Sequence, residues 1–131
     1  MEGWEGPPWS LLLPPGWKSL NGKGLAEIAA YQWTETNRII MDDLTALPAD
    51  RRHVVRYSDF VSDPAAVVRG IAAFADIDID EALAQRTSAA LPNSRYTLTA
   101  PDPDKWRKNA AEIEAVLPDV AGIAERLRVF R

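Results

Sequence analysis

The order of hydrophobic and polar positions predicts a mainly helical chain, with its longest helix in the first third. From Leu25 to about Leu47 there is no proline or glycine. Large or apolar side chains recur there at spacings of four and three, which places them on one face of a helix. These positions are Ala29, Trp33, Asn37, Ile40, Leu44 and Leu47. The spacing predicts an amphipathic helix that Pro48 stops.

Two shorter helices are predicted in the middle of the chain. Asp63 and Pro64 predict a helix start, since an acid suits the N-cap and proline suits the first helical position. An apolar stripe follows at Val67, Ile71 and Phe74. Asp80 predicts the cap of a second helix, which reaches to about Ala90.

Two further helices are predicted in the C-terminal quarter. The first carries its apolar side at Trp106, Ala110, Ile113 and Leu117. Pro118 and Asp119 then predict the start of a last helix, because proline interrupts a helix that has already begun. The inner face of that last helix is predicted at Val120, Ile123, Ala124 and Leu127.

The run His53-Val54-Val55-Arg56-Tyr57 is short, β-branched and aromatic, and it predicts the one convincing strand. A buried strand needs partners for its N–H and C=O groups. Residues 9–13 are one candidate partner; otherwise the neighbouring strands belong to missing sequence or to another chain. The predicted fold class is therefore an α/β fragment, predominantly α, with about five helices around one short strand.

Two proline-rich stretches predict irregular structure. Residues 1–24 hold two Pro-Pro pairs and three tryptophans, which predicts an extended arm that packs on another part of the protein. Residues 91–104 hold three prolines and form a loop long enough to suggest a function. The predicted organisation is an arm at 1–24 followed by one domain portion at 25–131.

Composition narrows the classes of function. A net charge of -4 over 131 residues argues against a nucleic-acid binder, which would gather cations on one face. The absence of cysteine excludes disulfides and thiolate metal sites. No apolar run approaches the roughly 20 residues of a membrane span, and the first residues lack signal-peptide features. We therefore expect a cytoplasmic protein that binds neither nucleic acid nor membrane.

Four segments, in their order along the chain, resemble one family. Trp33 and Asn37 resemble its Trp-Asn helix, and 53–60 resembles its strand ending in Tyr-Glu-Asp-Leu, with Ser58 in place of glutamate. Residues 63–74 are similar to the helix that follows. Residues 104–109 resemble its Trp-Lys-Asn or Lys-Trp-Arg segment. The family is the sulfotransferases, and the resemblance is to its C-terminal half; residues 9–17 also look like a stretch from a bacterial branch.

This resemblance implies a P-loop-like fold and a reaction. The family transfers a sulfuryl group from 3'-phosphoadenosine 5'-phosphosulfate to an alcohol or amine, and no metal is implied. Its phosphate-binding loop, its catalytic histidine and the arginine and serine on the 3'-phosphate lie upstream of the matching half, and no segment here resembles them. We therefore expect no catalytic residue in this chain, no turnover by it alone, and a need for the N-terminal half.

The resemblance also suggests where the co-substrate binds. In the family, an arginine of the corresponding C-terminal loop contacts the 3'-phosphate. This makes Arg95 and Arg107 the leading cofactor-binding candidates, with Lys105 beside them and Ser94 as a further donor. The alternative interpretation is that the basic residues around Trp106 form a solvated helix face that binds no co-substrate, with Trp106 in the core.

Other polar motifs favour structural roles. Residues 21–24, Asn-Gly-Lys-Gly, precede a helix but lack the full phosphate-loop pattern, which favours a turn. His53 opens the predicted strand and is interpreted as structural. Residues 76–81 alternate acids, yet Glu81 and Thr87 stand where a calcium loop needs glycine and glutamate, so an acidic helix start is favoured. An acceptor pocket lined by Trp9 or Trp17 stays an alternative to simple anchoring.

The sequence thus favours part of a sulfotransferase, with its N-terminal half or a second copy of the chain as partner. The competing hypothesis is a non-enzymatic helical module that binds a protein through the tryptophan arm and the strand edge. Because the strand has no partner and the arm is apolar, we also expect the isolated chain to be marginally stable or to self-associate.

Overall fold

The computed structural model of the chain describes residues 3–6, 12–97, 99 and 102–130. Five α-helices lie within these residues: α1 Leu25–Thr45, α2 Tyr57–Ser62, α3 Pro64–Ala75, α4 Glu81–Thr87 and α5 Ala110–Val129. Short 3₁₀ helices occupy Trp17–Leu20, Ala49–Arg51 and Lys105–Asn109. The prediction of a predominantly helical chain is confirmed, whereas the predicted strand is absent from the described residues.

The segment predicted as a strand is extended but unpaired. Arg52 and Arg56 have extended backbone angles, with φ of -136° and -86°. The backbone of Val54 and Val55 makes no hydrogen bond with any residue that the structure describes. Tyr57 begins α2 instead of ending a strand. A strand is defined by its ladder of hydrogen bonds, and a β-branched composition does not supply one.

The partner segment considered for that strand does not form one in its described part. Residues 9–11 lie outside the described residues. Leu12 and Leu13 are irregular, and the Leu12 carbonyl accepts a hydrogen bond from the Gln32 side-chain amide at 2.7 Å. This carbonyl therefore serves to attach the segment to α1.

One compact unit comprises the described residues of Met1–Leu47 and Asp102–Phe130. In it α1 packs against α5, and the 3₁₀ helix at Trp17–Leu20 packs on α1. Leu20 and Pro14 are buried, and the Tyr31 hydroxyl donates to the Pro15 carbonyl at 2.9 Å. The described part of the arm thus lies along α1.

Helix α1 begins at the predicted Leu25 and ends at Thr45, two residues before the predicted Leu47, and it buries a different face. Met41 and Ala30 are its buried residues, whereas Trp33 and Ile40 of the predicted face are 41% and 46% exposed. Met41 is turned about 100° from Ile40 on a helix.

The C-terminal residues form one helix, so the prediction of two helices divided at Pro118 is wrong. Helix α5 continues through Pro118 to Val129. A proline nitrogen has no hydrogen to donate to the carbonyl four residues earlier, here that of Glu114. The continuous helix α5 packs against α1. Pro118 was interpreted as a start signal because an internal and an N-terminal proline are alike in sequence.

The second unit contains α2, α3 and α4 and spans Pro48–Pro101. Asp63 caps α3 by accepting from the Ala66 N–H at 2.9 Å, with Pro64 in the first turn, as predicted. Asp80 caps α4 through the Leu83 N–H at 2.7 Å. Helix α4 ends at Thr87, three residues before the predicted Ala90.

In the described part of the chain, no helix combines the length and the apolar character needed to cross a bilayer. The division into an arm at 1–24 and a portion at 25–131 stays a prediction.

Candidate functional site

The four predicted co-substrate residues belong to two different units. Ser94 and Arg95 lie in the unit Pro48–Pro101, and Lys105 and Arg107 lie in the unit that contains α1 and α5. Each pair is therefore described by itself.

The first pair lies on an exposed turn. The Arg95 guanidinium carbon is 4.7 Å from the centre of the Tyr96 ring, and the guanidinium donates to the Tyr96 hydroxyl. The Ser94 carbonyl accepts from the Thr97 N–H at 2.8 Å, and the Ser94 hydroxyl accepts from the Tyr96 N–H at 3.2 Å. Arg95 is thus held over an aromatic ring at the surface, where an anion can reach its remaining N–H groups.

The second pair lies on the 3₁₀ helix Lys105–Asn109, which leads directly into α5. Arg107 Nε donates to Asp104 Oδ1 at 2.7 Å. The Arg107 guanidinium carbon is 5.1 Å from the centre of the Trp106 ring. Trp106 is 38% exposed, so this ring forms part of the surface that carries Arg107. Of the alternative interpretation, Trp106 in the core is not what the structure shows, whereas Lys105, Arg107 and Lys108 are exposed as a solvated basic face requires.

The donors of Arg107 are only partly used by Asp104. A guanidinium has five N–H donors, and the contact with Asp104 engages the one on Nε. The terminal N–H groups of an arginine match two oxygens of a phosphate or sulfate. Arg107 therefore has the chemistry of an anion ligand, although a carboxylate competes for it.

Sequence reasoning missed this competitor. Asp104 and Arg107 are three residues apart, a spacing at which side chains meet on a helix. Their spacing therefore allows the ion pair to be predicted from the sequence. The prediction of a loop that reaches Asp104 separates this residue from Arg107 on the following helix and hides the pair. Asp102 stabilises the same turn by accepting from the Asp104 N–H at 2.8 Å.

The remaining motifs have structural roles in the described residues. His53 stacks on Phe74, with ring centres 5.1 Å apart. Residues 21–24 form a turn, as predicted, in which the Lys23 N–H donates to the Leu20 carbonyl at 3.0 Å. Trp17 contacts Trp4, with ring centres 6.0 Å apart, and Trp9 lies outside the described residues.

Where the structure describes the chain, no three histidine, aspartate or glutamate side chains gather closely enough to hold a metal ion. Ion pairs account for the shifted carboxyl groups. The hydrogen bond from Lys23, followed by that from the Gly24 N–H, holds the pKa of Glu27 below its usual range. The hydrogen bond from Arg38 does the same for the pKa of Glu35.

Comparison with known proteins identifies one family. The model of the sulfotransferase family matches residues 13–81, which is more than half of the chain. The match covers α1, the extended segment, α2 and α3, and it ends before Ser94. No curated protein and no solved structure matches the chain. On the match over 13–81, the chain belongs to the sulfotransferase family.

Proposed function

We propose that the chain is the C-terminal part of a sulfotransferase that uses 3'-phosphoadenosine 5'-phosphosulfate and sulfates an alcohol or an amine. The observation that carries this is the family match over residues 13–81. In the transfer, the acceptor oxygen or nitrogen forms a bond to sulfur while the bond from sulfur to the 5'-phosphate oxygen breaks. The acceptor loses its proton, and adenosine 3',5'-bisphosphate leaves. The proposed compartment is the cytoplasm.

The proposed contribution of this chain is to bind the co-substrate. The candidate ligands of the 3'-phosphate are Arg95, with Ser94 as a further donor in its unit, and Arg107, with Lys105 as a further donor in the other unit. Exposure of the Arg107 side chain, at 66%, supports this, since an incoming anion reaches it without unfolding. Charged N–H groups aimed at phosphate oxygens form hydrogen bonds about twice as strong as neutral ones.

We propose that the chain does not turn over substrate alone. In-line sulfuryl transfer resembles phosphoryl transfer in needing donors aimed at the bridging oxygen and a group that takes the acceptor proton. The single histidine of the sequence stacks on Phe74 and has no carboxylate partner among the described residues. The phosphate-binding loop and the base are assigned to an N-terminal half outside these 131 residues.

Calorimetric titration with adenosine 3',5'-bisphosphate tests the site. We expect the parent chain to bind this nucleotide and the Arg95→Ala/Arg107→Ala variant to show no detectable binding of it. The matched control is Arg69→Ala/Arg86→Ala, which removes two exposed helix arginines and the same charge. Binding that is equal in the first variant and the parent chain removes the assignment of both arginines.

A second function is favoured by the apolar surface of α1. Trp33, Ile40 and, just beyond the helix, Leu47 are 41%, 46% and 45% exposed. Such residues are typical of helical modules that dock on another protein. Failure of the bisphosphate to bind, together with concentration-dependent association, would favour a non-enzymatic interaction module over the co-substrate site.

A further inference from the structure

A pocket of about 250 Å³ lies beside the N-terminal half of α1, apart from the proposed co-substrate residues. It is lined by the turn before α1, by the first turns of α1 and by Asp119 of α5. Leu20 and Ala30 supply buried apolar surface. Lys23, Glu27 and Asp119 supply the charged part of the lining. The pocket is thus amphipathic, and its size suits a small organic molecule.

Most of the polar groups around the pocket already have partners. Lys23 Nζ donates to Glu27 Oε1 at 2.9 Å, and the Gly24 N–H donates to Glu27 Oε2 at 2.9 Å. The Tyr31 hydroxyl donates to the Pro15 carbonyl. Lys23 and Glu27 therefore neutralise each other, and both oxygens of Glu27 are used.

Asp119 is the exception among the charged groups. It makes no hydrogen bond or ion pair with the described residues, although it is near enough to Lys23 to help raise the pKa of that amine, after the larger effect of Glu27. The net charge of the described lining is therefore negative and is set by Asp119. A carboxylate in this position favours a cation.

Thr34 lines the pocket and carries a hydroxyl without a partner among the described residues. Its Oγ1 is buried and has no hydrogen-bond partner in the described part of the protein. By contrast, the hydroxyls of Thr45 and Thr87 donate to carbonyls four residues earlier, at 2.6 and 2.9 Å. Threonine in a helix has two accessible side-chain rotamers, so rotation about χ1 can carry the hydroxyl to another staggered position, towards the pocket. A ligand hydroxyl would satisfy a group that is costly to leave unpaired.

We propose that this pocket binds a small amino alcohol with a branched aliphatic body. The ammonium lies at Asp119, the aliphatic body lies on Leu20 and Ala30, and the hydroxyl pairs with Thr34. Such a compound carries both an alcohol and an amine, the two acceptor groups of the proposed reaction. Its binding to the pocket is measured without the sulfuryl donor and so does not depend on that reaction. Failure of this inference and failure of the proposed function are therefore distinguishable.

Leucinol is a probe of this class. Isoamyl alcohol keeps the hydroxyl but lacks the amine and one carbon, and isoamylamine keeps the amine but lacks the hydroxymethyl group. Titrations of the full chain followed by amide chemical shifts give the affinities. We expect leucinol to bind more tightly than either relative, with shifts centred on residues 20–34 and 119. Equal affinity for leucinol and isoamyl alcohol would overturn the proposal, because Asp119 would then have no ammonium to bind.

Two variants assign the polar contacts. Asp119→Asn is expected to weaken leucinol binding roughly five- to tenfold, as for loss of a charge-assisted contact in a half-open site. Glu114→Gln is the matched control on the same helix and should leave the affinity unchanged. Thr34→Val is expected to remove the preference for leucinol over isoamylamine and to leave the fold intact, since it removes a buried unpaired hydroxyl. Equal effects of the Asp119 and Glu114 variants would place the amine elsewhere.

Discussion

At the scale of single residues, the contact between Asp104 and Arg107 controls how the second pair of candidate residues meets an anion. The carboxylate takes the Nε donor at 2.7 Å, and both side chains are largely exposed. Exposed ion pairs of this kind stabilise a protein by about 0.2–1 kcal/mol. An incoming phosphate has to compete with an attraction of that size and with the negative charge of Asp104.

We therefore predict that Asp104→Asn increases the affinity for adenosine 3',5'-bisphosphate about two- to fivefold, as measured by calorimetry. The asparagine oxygen still accepts from Arg107, but it no longer neutralises the guanidinium. The control is Asp102→Asn, which removes one negative charge from the same turn and keeps an acceptor for the Asp104 N–H. If both variants bind the nucleotide with the same affinity, the gain comes from the loss of one negative charge in general, and Asp104 is not a specific competitor for Arg107.

Residue-scale features that depend only on near neighbours were predictable from the sequence. Asp63 and Asp80 were expected to cap helices, and each accepts the N–H three residues later. The face of α1 was not predictable in the same way. Its apolar residues extend over more than one face, and contact with α5 decides which of them is buried.

At the scale of elements, one ion pair joins the two long helices across 84 residues of sequence. Arg126 of α5 donates to Asp42 of α1 at 2.8 Å, and Arg38 donates to the other oxygen of Asp42 at 3.0 Å. The hydrogen bond from Arg126 is the largest cause that holds the pKa of Asp42 below its usual value of 3.8. Asp42 therefore favours the folded state while it is ionised.

This depressed pKa gives a prediction with a defined sign. The contribution of Asp42 is fully present above pH 3.8 and is lost as the pH falls through its lower, folded-state pKa. Arg126→Gln should lower the thermal midpoint at pH 7, and its difference from the parent chain should shrink below about pH 3.8. Thermal unfolding followed by circular dichroism at a series of pH values measures the midpoints of the parent chain and the variant.

The control for this ion pair is Arg128→Gln. Arg128 pairs with Glu125 of the same helix, at 2.7 Å, so its loss does not separate α5 from α1. We expect a smaller change in the midpoint for this control. High salt should also reduce the effect of Arg126→Gln, since the Debye length at 1 M is about 3 Å. A difference that persists unchanged at low pH would show that packing of the Arg126 side chain, and not its charge, is responsible.

At the scale of the whole molecule, the described residues expose far more large apolar side chains than they bury. Besides Pro14 and Pro64, the buried apolar residues are Leu20, Ala30 and Met41 in one unit and Ala72 in the other, whereas eighteen large hydrophobic residues among the described ones are exposed. Burial of such side chains is the main stabilising term in folding. The part of the chain that is described therefore has little hydrophobic stabilisation to set against conformational entropy.

We predict that the isolated chain is marginally stable and self-associates, and that sedimentation velocity detects the association as the concentration increases. Trp33→Gln/Ile40→Gln should weaken it, because these side chains are one apolar stripe of α1. Leu25→Gln/Ile77→Gln is a control that also removes two exposed apolar side chains, from separate positions. A monomer with a high melting temperature at all concentrations would contradict the prediction.

The whole-molecule prediction from sequence was correct for helix content and wrong for the strand. Helices were predictable because their hydrogen bonds are local, as in α1. Val54 and Val55 have the side chains of a strand, but a strand also needs a second backbone, and composition carries no information about whether one is present. Among the described residues none pairs with them.

Pro118 also changes the backbone hydrogen bonding of the C-terminal helix. At the missing bond to Glu114, helix α5 has fewer backbone links between its successive turns than elsewhere. Proline positions are common bending points of helices. A bend at this point would fall next to Asp119, the α5 residue that lines the pocket beside α1, whereas the contact of Arg126 with Asp42 ties the last turns of α5 to α1.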